Sequence, residues 1–398
     1  MSILSRRDFF QKSGFAAAGI ALPSSMTHRS DQIDNNPKIR RYKPFGKTGH
    51  MVSDISSGAG QREPGMIEHI FERGINLIDT AYQYPGHEEV IGSLFKAKPE
   101  WREKVFIVDK WDPEFVTPVT TKADLMEQLD VMLERLNTTY IDCLMIHALG
   151  HPYMGDITRI QNPAIYEAYD EAKKLGKIRF TGASSCGPTA LEEFDWGIDN
   201  NRFDVILLGG NFLTKGAEPL LKKARAQGVA TMAMKTMTLY KSGLNIRAFQ
   251  NRETNARQAV LKWVLASDLF DTIIISMRNF DQVNEYLAVS GTTSLDADDT
   301  DNLETLTGVI GRQYCRPTCD ACLGSCPHNV PIANVLRFKM YFENYGNEKY
   351  AMQRYNKIPA EQSAEMCAGC SGPCEESCTY KLPVRDLMVQ AHTQLTMP

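Results

Sequence analysis

The sequence has no excess of positive charge and no long hydrophobic run after its first 35 residues. A membrane-spanning helix needs ~20 consecutive apolar residues, and no later segment supplies them. The formal net charge is −4, which gives no support for nucleic-acid binding. We therefore expect neither an integral membrane protein nor a nucleic-acid partner. The hydrophobic content of 43% and the charged content of 23% are ordinary for a globular protein.

Cysteine is scarce over most of the chain and concentrated near its end. Eight of the 10 cysteines follow residue 314, and the other two, Cys143 and Cys186, are expected to be buried or pocket-lining thiols. This uneven distribution predicts two parts of different chemistry in a chain that is longer than the ~150 residues of one typical domain. We expect a signal and linker over residues 1–35, a large domain over residues 36–300 and a small one over residues 301–398.

The N-terminal stretch SRRDFFQK has the pattern of a twin-arginine export signal. Arg6 and Arg7 precede Phe9 and Lys12, and the run from Phe15 to Leu22 is rich in alanine and glycine. A disordered basic N-terminus is the alternative interpretation. The twin-arginine route carries folded proteins, so we expect a periplasmic or otherwise extracytoplasmic protein that folds before export.

Short aliphatic runs alternate with amphipathic, charge-rich segments between residues 41 and 300. The runs are SDISSGAG, GINLID, KVFIVDK, YIDCLMIH, KIRFTGASS, FDVILLGG, GVATMAMK and DTIIISM. Such runs are typical of strands that are covered on both faces. One of the helical segments between them, TTKADLMEQLDVMLERL, has a threonine at its start and an apolar stripe from Leu125 to Leu136. Eight strand–helix units predict an α/β fold, a (β/α)8 TIM barrel, with a doubly wound sheet as the alternative.

Four ionisable residues lie at or near the carboxyl ends of successive predicted strands. They are Asp79, Tyr84, Lys110 and His147. The carboxyl ends of the strands form the face of a barrel that carries the chemistry. Each residue alone has a structural explanation, such as a helix cap for Asp79 or a core position for His147. Their occurrence together predicts a catalytic site.

The stretches YKPFGKTGHMVS, GINLIDTAYQYPGHEEVIGSLF, KVFIVDK, YIDCLMIH, GKIRFTGASS and GVATMAMKTM resemble the aldo/keto reductase superfamily. The resemblance implies that Asp79, Tyr84, Lys110 and His147 form the catalytic tetrad of that family. It also implies a small-molecule carbonyl or alcohol substrate. Tyr84 is then the general acid/base and His147 orients the carbonyl. Lys110 is expected to lower the pKa of Tyr84, and Asp79 to hold Lys110.

The resemblance implies NADP(H) as cofactor, but the nicotinamide pocket departs from the family pattern. Ser184 and Ser185 stand where the family has Ser-Asn, Leu207 stands at a usual Gln, and Gly210 at a usual Tyr. Candidate cofactor-binding residues are Ser184, Ser185, Lys235, Arg278 and Gln282. Two interpretations remain: a repacked but working NADP(H) site, and a barrel that binds its dinucleotide differently or not at all.

The last 98 residues contain two runs of four cysteines, CRPTCDACLGSCPHNVPI and CAGCSGPCEESC. They hold the candidate metal ligands Cys315, Cys319, Cys322, Cys326, Cys367, Cys370, Cys374 and Cys378. These runs resemble bacterial two-cluster ferredoxins, in which the fourth cysteine of one run binds the other cluster. Two [4Fe–4S] clusters in a small, mostly helical ferredoxin-like domain are expected. Four disulfides or two zinc sites are the alternatives.

The intervening segment RFKMYFENYGNEKYAMQRY is amphipathic and helical in pattern, and it resembles the insert of aldo/keto reductases that carry a ferredoxin-like tail. The sequence as a whole predicts an exported oxidoreductase that interconverts a carbonyl and an alcohol, with a possible redox partner protein. The alternative is an electron-transfer or binding subunit whose barrel no longer uses a nicotinamide cofactor.

Overall fold

The computed structural model describes residues 36–151, 156–237 and 256–396. The expected export signal, over residues 1–35, lies outside the described residues. Residues 36–398 form one compact unit by their contacts, so the expected boundary near residue 300 stays a prediction.

Eight parallel strands close into a barrel and confirm the predicted (β/α)8 fold. A two-stranded antiparallel hairpin precedes them, formed by β1 (Tyr42–Pro44) and β2 (Met51–Ser53). The barrel strands are β3 (Ile55–Gly58), β4 (Leu77–Asp79), β5 (Phe106–Lys110), β6 (Ile141–His147), β7 (Ile178–Ser185), β8 (Val205–Gly209), β9 (Ala230–Met234) and β10 (Thr272–Ser276). Each strand pairs with the next, and β10 pairs with both β9 and β3. This closure excludes the doubly wound sheet, which would leave open edges.

Helices surround the barrel in the order that the sequence predicts. Those of the first 310 residues are α1 (Pro64–Glu72), α2 (His87–Ala97), α3 (Glu100–Lys104), α4 (Lys122–Arg135), α5 (Pro163–Lys174), α6 (Ala190–Asp199), α7 (Glu218–Ala226), α8 (Ala256–Leu265), α9 (Phe280–Leu287) and α10 (Ala297–Ile310). In α4 the Thr121 hydroxyl accepts from the Asp124 N–H and the Asp124 carboxylate accepts from the Thr121 N–H, which is a capping box. The stripe Leu125, Leu129 and Leu136 is fully buried against the barrel, as its helical spacing predicts.

The amino-terminal end of the barrel is filled by apolar side chains. Phe45 and Val52 of the hairpin pack with Leu77 and Phe106, the first residues of β4 and β5. The rings of Phe45 and Phe106 meet edge to face, with their centroids 5.3 Å apart. With that end closed by apolar contacts, the carboxyl end is the one that remains available for chemistry.

The C-terminal segment forms a second, smaller hydrophobic cluster against the barrel. Its helices are α11 (Ile332–Tyr345), α12 (Glu348–Tyr355), α13 (Pro373–Ser377) and α14 (Val384–Leu395). The segment that the sequence predicts to be helical therefore contains two helices, because Gly346 takes a left-handed conformation with φ of 63° at the end of α11. Tyr314 and Met340 pack with Leu213 of the barrel, which joins the two parts.

None of the helices in the described ranges is both long and apolar enough to cross a bilayer.

Candidate active site at the barrel mouth

The four ionisable residues expected to form the site lie together at the carboxyl-terminal end of the barrel. Asp79, Lys110 and His147 are the last residues of β4, β5 and β6, and Tyr84 lies in the loop between β4 and α2. Lys110 Nζ donates to Asp79 Oδ1 at 2.5 Å and also to the carbonyl of Thr80. The same Nζ lies 5.6 Å from the centroid of the Tyr84 ring, and that ring meets His147 edge to face at 5.9 Å.

The Tyr84 hydroxyl is strongly held in its protonated form. Burial raises the pKa of Tyr84 well above 10, and the Asp79 carboxylate raises it further. The expectation that Lys110 lowers this pKa is not met on balance. The ammonium group of Lys110 is directed at Asp79, and burial together with the Asp79 carboxylate outweighs its charge. Burial raises the pKa of Asp79 as well, and Lys110 opposes that rise.

His147 is a neutral hydrogen-bond donor in this arrangement. Burial, followed by the charge of Lys110, lowers the pKa of His147 well below 6.5. The amide nitrogen of Gln83 lies 3.3 Å from Nδ1 of His147. An amide nitrogen can only donate, so Nδ1 accepts and the ring proton is on Nε2. Nε2–H can therefore donate to a carbonyl oxygen near Tyr84.

A cavity of about 530 Å³ opens above these four side chains. The ends of the barrel strands form its floor, and residues of α11 and α12 form part of its wall. The volume lies within the ~300–1,000 Å³ that is usual for small-molecule sites. The cavity is therefore large enough for a substrate together with the reacting part of a cofactor.

Four of the five candidate cofactor-binding residues line this cavity. Ser184, Ser185, Lys235 and Arg278 do so, whereas Gln282 does not and instead accepts from the Arg278 N–H at 2.8 Å. The Ser185 hydroxyl donates to the carbonyl of Leu149 and accepts from a backbone N–H, so it serves the turn after β7. Ser184 and Arg278 are thus better placed to bind a cofactor than Ser185 and Gln282.

The positions at the end of β8, where the family resemblance implies contacts to a nicotinamide, are tightly packed in this structure. Leu207 lines the cavity and is 1% exposed. A Cβ at Gly210 would lie 2.5 Å from the ring of Phe270, so the position of the usual Tyr has no room for a side chain. A Cβ at Gly209 would overlap the ring of Pro317, which comes from the C-terminal segment.

A dinucleotide still has suitable partners in the cavity. The hydroxyls of Ser184 and Thr236 are buried, line the cavity and have no hydrogen-bond partner among the described residues. Such groups are costly to leave unpaired and are available to a carboxamide. Arg278 and Arg62 line the same cavity on the side of β3 and β10, where they can face a phosphate. The residues present therefore fit an NADP(H) group.

The eight C-terminal cysteines fall into two groups of four that mix the two sequence runs. Burial raises the pKa of the Cys315 thiol to about 11, and its neighbours Cys319 and Cys378 act in the same direction. Burial likewise raises the pKa of Cys322 to about 12, with Cys315 and Cys378 adding to the effect. The first group, called quartet A, therefore consists of Cys315, Cys319, Cys322 and Cys378.

Quartet B consists of Cys326, Cys367, Cys370 and Cys374, which line a small cavity together. Backbone N–H groups lie 3.4 Å from the sulfurs of Cys326, Cys370 and Cys378. All ten cysteines lie in the described part of the chain and none is in a disulfide. Within that part, no three His, Cys, Asp or Glu side chains lie close enough to hold a single metal ion.

The C-terminal segment contributes side chains to the cavity that were not predicted from the sequence. Asn334, Arg337 and Tyr341 of α11 line it from the side opposite the barrel strands. The one indication in the sequence was the amphipathic pattern of the segment, which could not show which partner its apolar face meets. Cys186, expected to be buried or pocket-lining, lies at the cavity beside these residues.

Comparison with known proteins supports an oxidoreductase function. Residues 62–245 match the sequence model of the Aldo/keto reductase family. The chain is 23% identical over 316 residues to the uncharacterized oxidoreductase YqkF of Bacillus subtilis, in an alignment that covers 67% of this chain and 96% of that protein. It is also 26% identical over 171 residues to the NADH-specific methylglyoxal reductase of Escherichia coli, which covers 39% and 50% of the two chains.

Solved structures show the same fold. The aldo-keto reductase AKR11C1 of Bacillus halodurans, in its holo form, matches with a TM-score of 0.50 at 22% identity, over 67% of this chain and 96% of that one. A putative aldo-keto reductase of Pseudomonas aeruginosa matches with a TM-score of 0.51 at 22% identity, over 64% and 96%. The family match covers residues 62–245, which is less than half of the chain, and the barrel has the fold of these structures. Together the comparisons indicate an oxidoreductase of the aldo/keto reductase type.

Proposed function

We propose that the barrel interconverts a carbonyl and an alcohol with Tyr84 as general acid/base. The observation that carries the proposal is the meeting of Tyr84, Lys110, Asp79 and His147 at one cavity of about 530 Å³. NADP(H), when bound, supplies hydride to a carbonyl carbon or accepts it from an alcohol carbon. Ser184, Thr236 and Arg278 are the residues that would hold it.

Each residue of the tetrad has a separate task in this proposal. His147 donates from Nε2 to the substrate oxygen and fixes its direction. Tyr84 gives its hydroxyl proton to that oxygen as negative charge develops there. Because burial and Asp79 keep the phenol protonated, the free site holds the proton that reduction of a carbonyl requires. Lys110 is held by Asp79 within reach of the ring, where its charge stabilises the phenolate once the proton has left.

The test is a Tyr84→Phe variant assayed by NADPH oxidation with a panel of aldehydes and ketones. Loss of the proton donor should lower kcat by about 10²–10⁴-fold and leave nucleotide binding unchanged. Tyr82→Phe is the matched control, because Tyr82 lies two residues away, does not line the cavity and packs under Arg135. Unchanged turnover in the Tyr84→Phe protein would show that the barrel does not work in this way.

We further propose that the C-terminal segment binds two [4Fe–4S] clusters, one at each quartet. A four-iron cluster takes one thiolate at each iron, so its ligands surround a cavity instead of converging on one point. Quartet B has this arrangement. The mixing of the two runs and the N–H groups directed at sulfur also support the proposal, since hydrogen bonds to sulfur tune such clusters.

Chain purified without oxygen should contain about eight irons and eight sulfides per molecule. A Cys374→Ser variant should lose about half of both, whereas Cys143→Ser, which changes a buried barrel thiol, should retain them. If the purified protein contains zinc but no sulfide, the quartets are zinc sites and not clusters. If it contains no metal and no free thiols, the cysteines form disulfides.

We propose export by the twin-arginine route for the same protein, because clusters built in the cytoplasm require a chain that crosses the membrane folded. The variant Arg6→Lys/Arg7→Lys should accumulate in the cytoplasm of a host that has this route. The control is the second arginine pair, Arg40→Lys/Arg41→Lys, which lies at the start of the described chain. If both variants are exported equally well, the proposal of twin-arginine export is wrong.

The second candidate function is an electron-transfer or binding subunit whose barrel does not use a nicotinamide. The observation in its favour is the crowding of Gly210 by Phe270, which removes the aromatic side chain that the family places on the nicotinamide. Iron and sulfide without any binding of added NADPH would favour this candidate over the reductase.

A further inference from the structure

The wall of the substrate cavity opposite the tetrad comes from outside the family domain. The matched family region ends at residue 245, whereas α11 and α12 contribute several lining residues after position 330. Apart from burial and Asp79, the groups that most raise the pKa of Tyr84 are Tyr350 and Tyr341, which belong to these two helices. This wall therefore adjoins the acid/base residue itself, and its chemistry acts on whatever substrate reaches Tyr84.

Arg337 of α11 is a buried cation at this wall. Its side chain is 6% exposed, and it has no carboxylate partner among the described residues. Its neighbours are the sulfur of Met340, 3.7 Å from Nη1, the side chain of Tyr314, to which it is hydrogen-bonded, and the Cys186 thiol. A guanidinium has five N–H donors, more than these neighbours accept. Since buried donors are costly to leave unpaired, the guanidinium is placed to receive an anion from the cavity.

Lys235 provides a second cation from the barrel side. It follows β9 with a left-handed φ of 57°, and its Nζ donates to the Tyr341 hydroxyl at 3.0 Å. It too has no carboxylate partner among the described residues. Tyr341 and Arg337 both lie on α11, so this hydrogen bond ties the barrel cation Lys235 to the helix that carries Arg337.

The cavity as a whole carries an excess of positive charge. Six cationic side chains line it: Arg62, Lys110, Lys235, Arg278, Arg337 and Arg354. Asp79 is the single lining carboxylate in the described residues, and Lys110 already pairs with it. Arg354 pairs with Glu114, so these two of the six cations are already compensated. The pKa of the Cys186 thiol responds to this positive charge. Burial alone would raise its pKa, yet Arg337, with His151 and Lys235, lowers it to about 6.

Buried polar groups without partners are a further sign that the cavity takes a ligand. Ser184 and Thr236, which are also placed to hold the cofactor, and Asn334 of α11 line the cavity, are at most 2% exposed and each have a side-chain oxygen without a partner in the described chain. The two hydroxyls can donate to an anion, whereas the Asn334 oxygen can only accept from a donor of the ligand. Buried groups of this kind are rare unless a ligand or water satisfies them.

We infer that the substrate carries a carboxylate, which Arg337 and Lys235 bind while its carbonyl group meets Tyr84 and His147. The inference deepens the proposed reductase function and rests on it. The anion could also come from a phosphate of the cofactor. Arg337 favours the substrate because it lies on α11, in the wall that the C-terminal segment forms, whereas Arg62 and Arg278 lie on the side of β3 and β10.

The experiment compares 4-carboxybenzaldehyde with benzaldehyde on the full chain purified without oxygen. The wild type should prefer the carboxylated aldehyde by about ten- to a hundredfold in kcat/KM, as expected for a charged hydrogen bond. Arg337→Gln should remove this preference by raising KM for that aldehyde alone, and Arg337→Lys should retain part of it. Lys349→Gln is the control, since it removes one exposed charge from α12.

Three results would overturn the inference. They are equal efficiency of the wild type with both aldehydes, equal slowing of both by Arg337→Gln, and weaker binding of NADPH to Arg337→Gln in the absence of aldehyde. The last would assign the anion to the cofactor.

A calorimetric titration without nucleotide separates this inference from the proposed function. 4-Carboxybenzyl alcohol should bind about tenfold or more tightly than benzyl alcohol, and Arg337→Gln should abolish the difference. If turnover survives Tyr84→Phe while this difference depends on Arg337, the acid/base assignment fails and the carboxylate site stands. If Tyr84→Phe is inactive but the two alcohols bind alike, the reductase stands and the carboxylate site fails.

Discussion

The buried pair of Lys110 and Asp79 yields a prediction in which stability and activity respond differently. The two side chains are 1% and 5% exposed, and Nζ lies 2.5 Å from Oδ1. Removing one partner leaves the other charge buried without compensation, which typically costs about 3–5 kcal/mol. Lys110→Met and Asp79→Asn should each be destabilised by that amount.

The double variant should be more stable than the sum of its two changes predicts. With both charges removed, the main remaining loss is the hydrogen bond from Lys110 to the carbonyl of Thr80, which costs about 1–3 kcal/mol when left unmade. The coupling between the two changes should therefore be at least about 3 kcal/mol.

Thermal unfolding of the four proteins measures this coupling. At roughly 2–4 °C per kcal/mol, each single change should lower Tm by about 6–20 °C, and the double change by clearly less than the two together. Glu68→Gln, which breaks the solvent-exposed pair with Lys98, is the control and should leave Tm unchanged. Reductase activity should stay low in the double variant even though Tm recovers. Additive losses of Tm would refute the claim that the pair is coupled.

Three further predictions concern single sites. The rate at which iodoacetamide modifies Cys186 should rise with pH, with a midpoint near the Cys186 pKa of about 6, as measured by peptide mass spectrometry. Cys143 is the control and should stay unreactive, because burial raises its pKa. His87, buried with its pKa lowered to about 4, stays neutral when folded, so stability should fall between pH 6.5 and 4 as the unfolded chain binds a proton. His87→Gln should flatten this part of the Tm profile, and an unaltered profile would contradict the assignment. Gly92→Ala should lower the free energy of unfolding by about 1–3 kcal/mol, because its Cβ would overlap a carbonyl of α4. The same change at Gly308 in α10 meets open space and should not lower it.

The barrel followed from the sequence because its determinants are local. A strand covered on both faces needs an aliphatic run, and a helix of α/β type needs a periodic stripe and a cap. Thr121 and the stripe that begins at Leu125 carry that information within 16 residues. The order of runs then fixes which strand ends meet. The proximity of Asp79, Lys110 and His147 could be predicted in the same way, since each ends its strand.

The electrostatics of the site did not follow from the sequence. The pKa of Tyr84 depends on how completely the pocket is closed, and residues more than 250 positions away contribute to that closure. The resemblance implies that Lys110 acts on the phenol directly. In the structure, two of the three N–H donors of Lys110 are used by Asp79 and by the carbonyl of Thr80, which lie in the right geometry to accept them. Sequence spacing contains no information on that choice.

By itself, the sequence determined the closed barrel, the residues at its strand ends and the concentration of thiols near the end of the chain. The tertiary structure alone decided that α11 faces the cavity and that the charge of Arg337 acts on Cys186 there. The mixing of the two cysteine runs was already implied by their resemblance to two-cluster ferredoxins. The physical reason is range. Periodicity and capping act over a few residues, whereas the partner of an amphipathic face and the field at a buried charge are set by packing between segments that are distant in the chain.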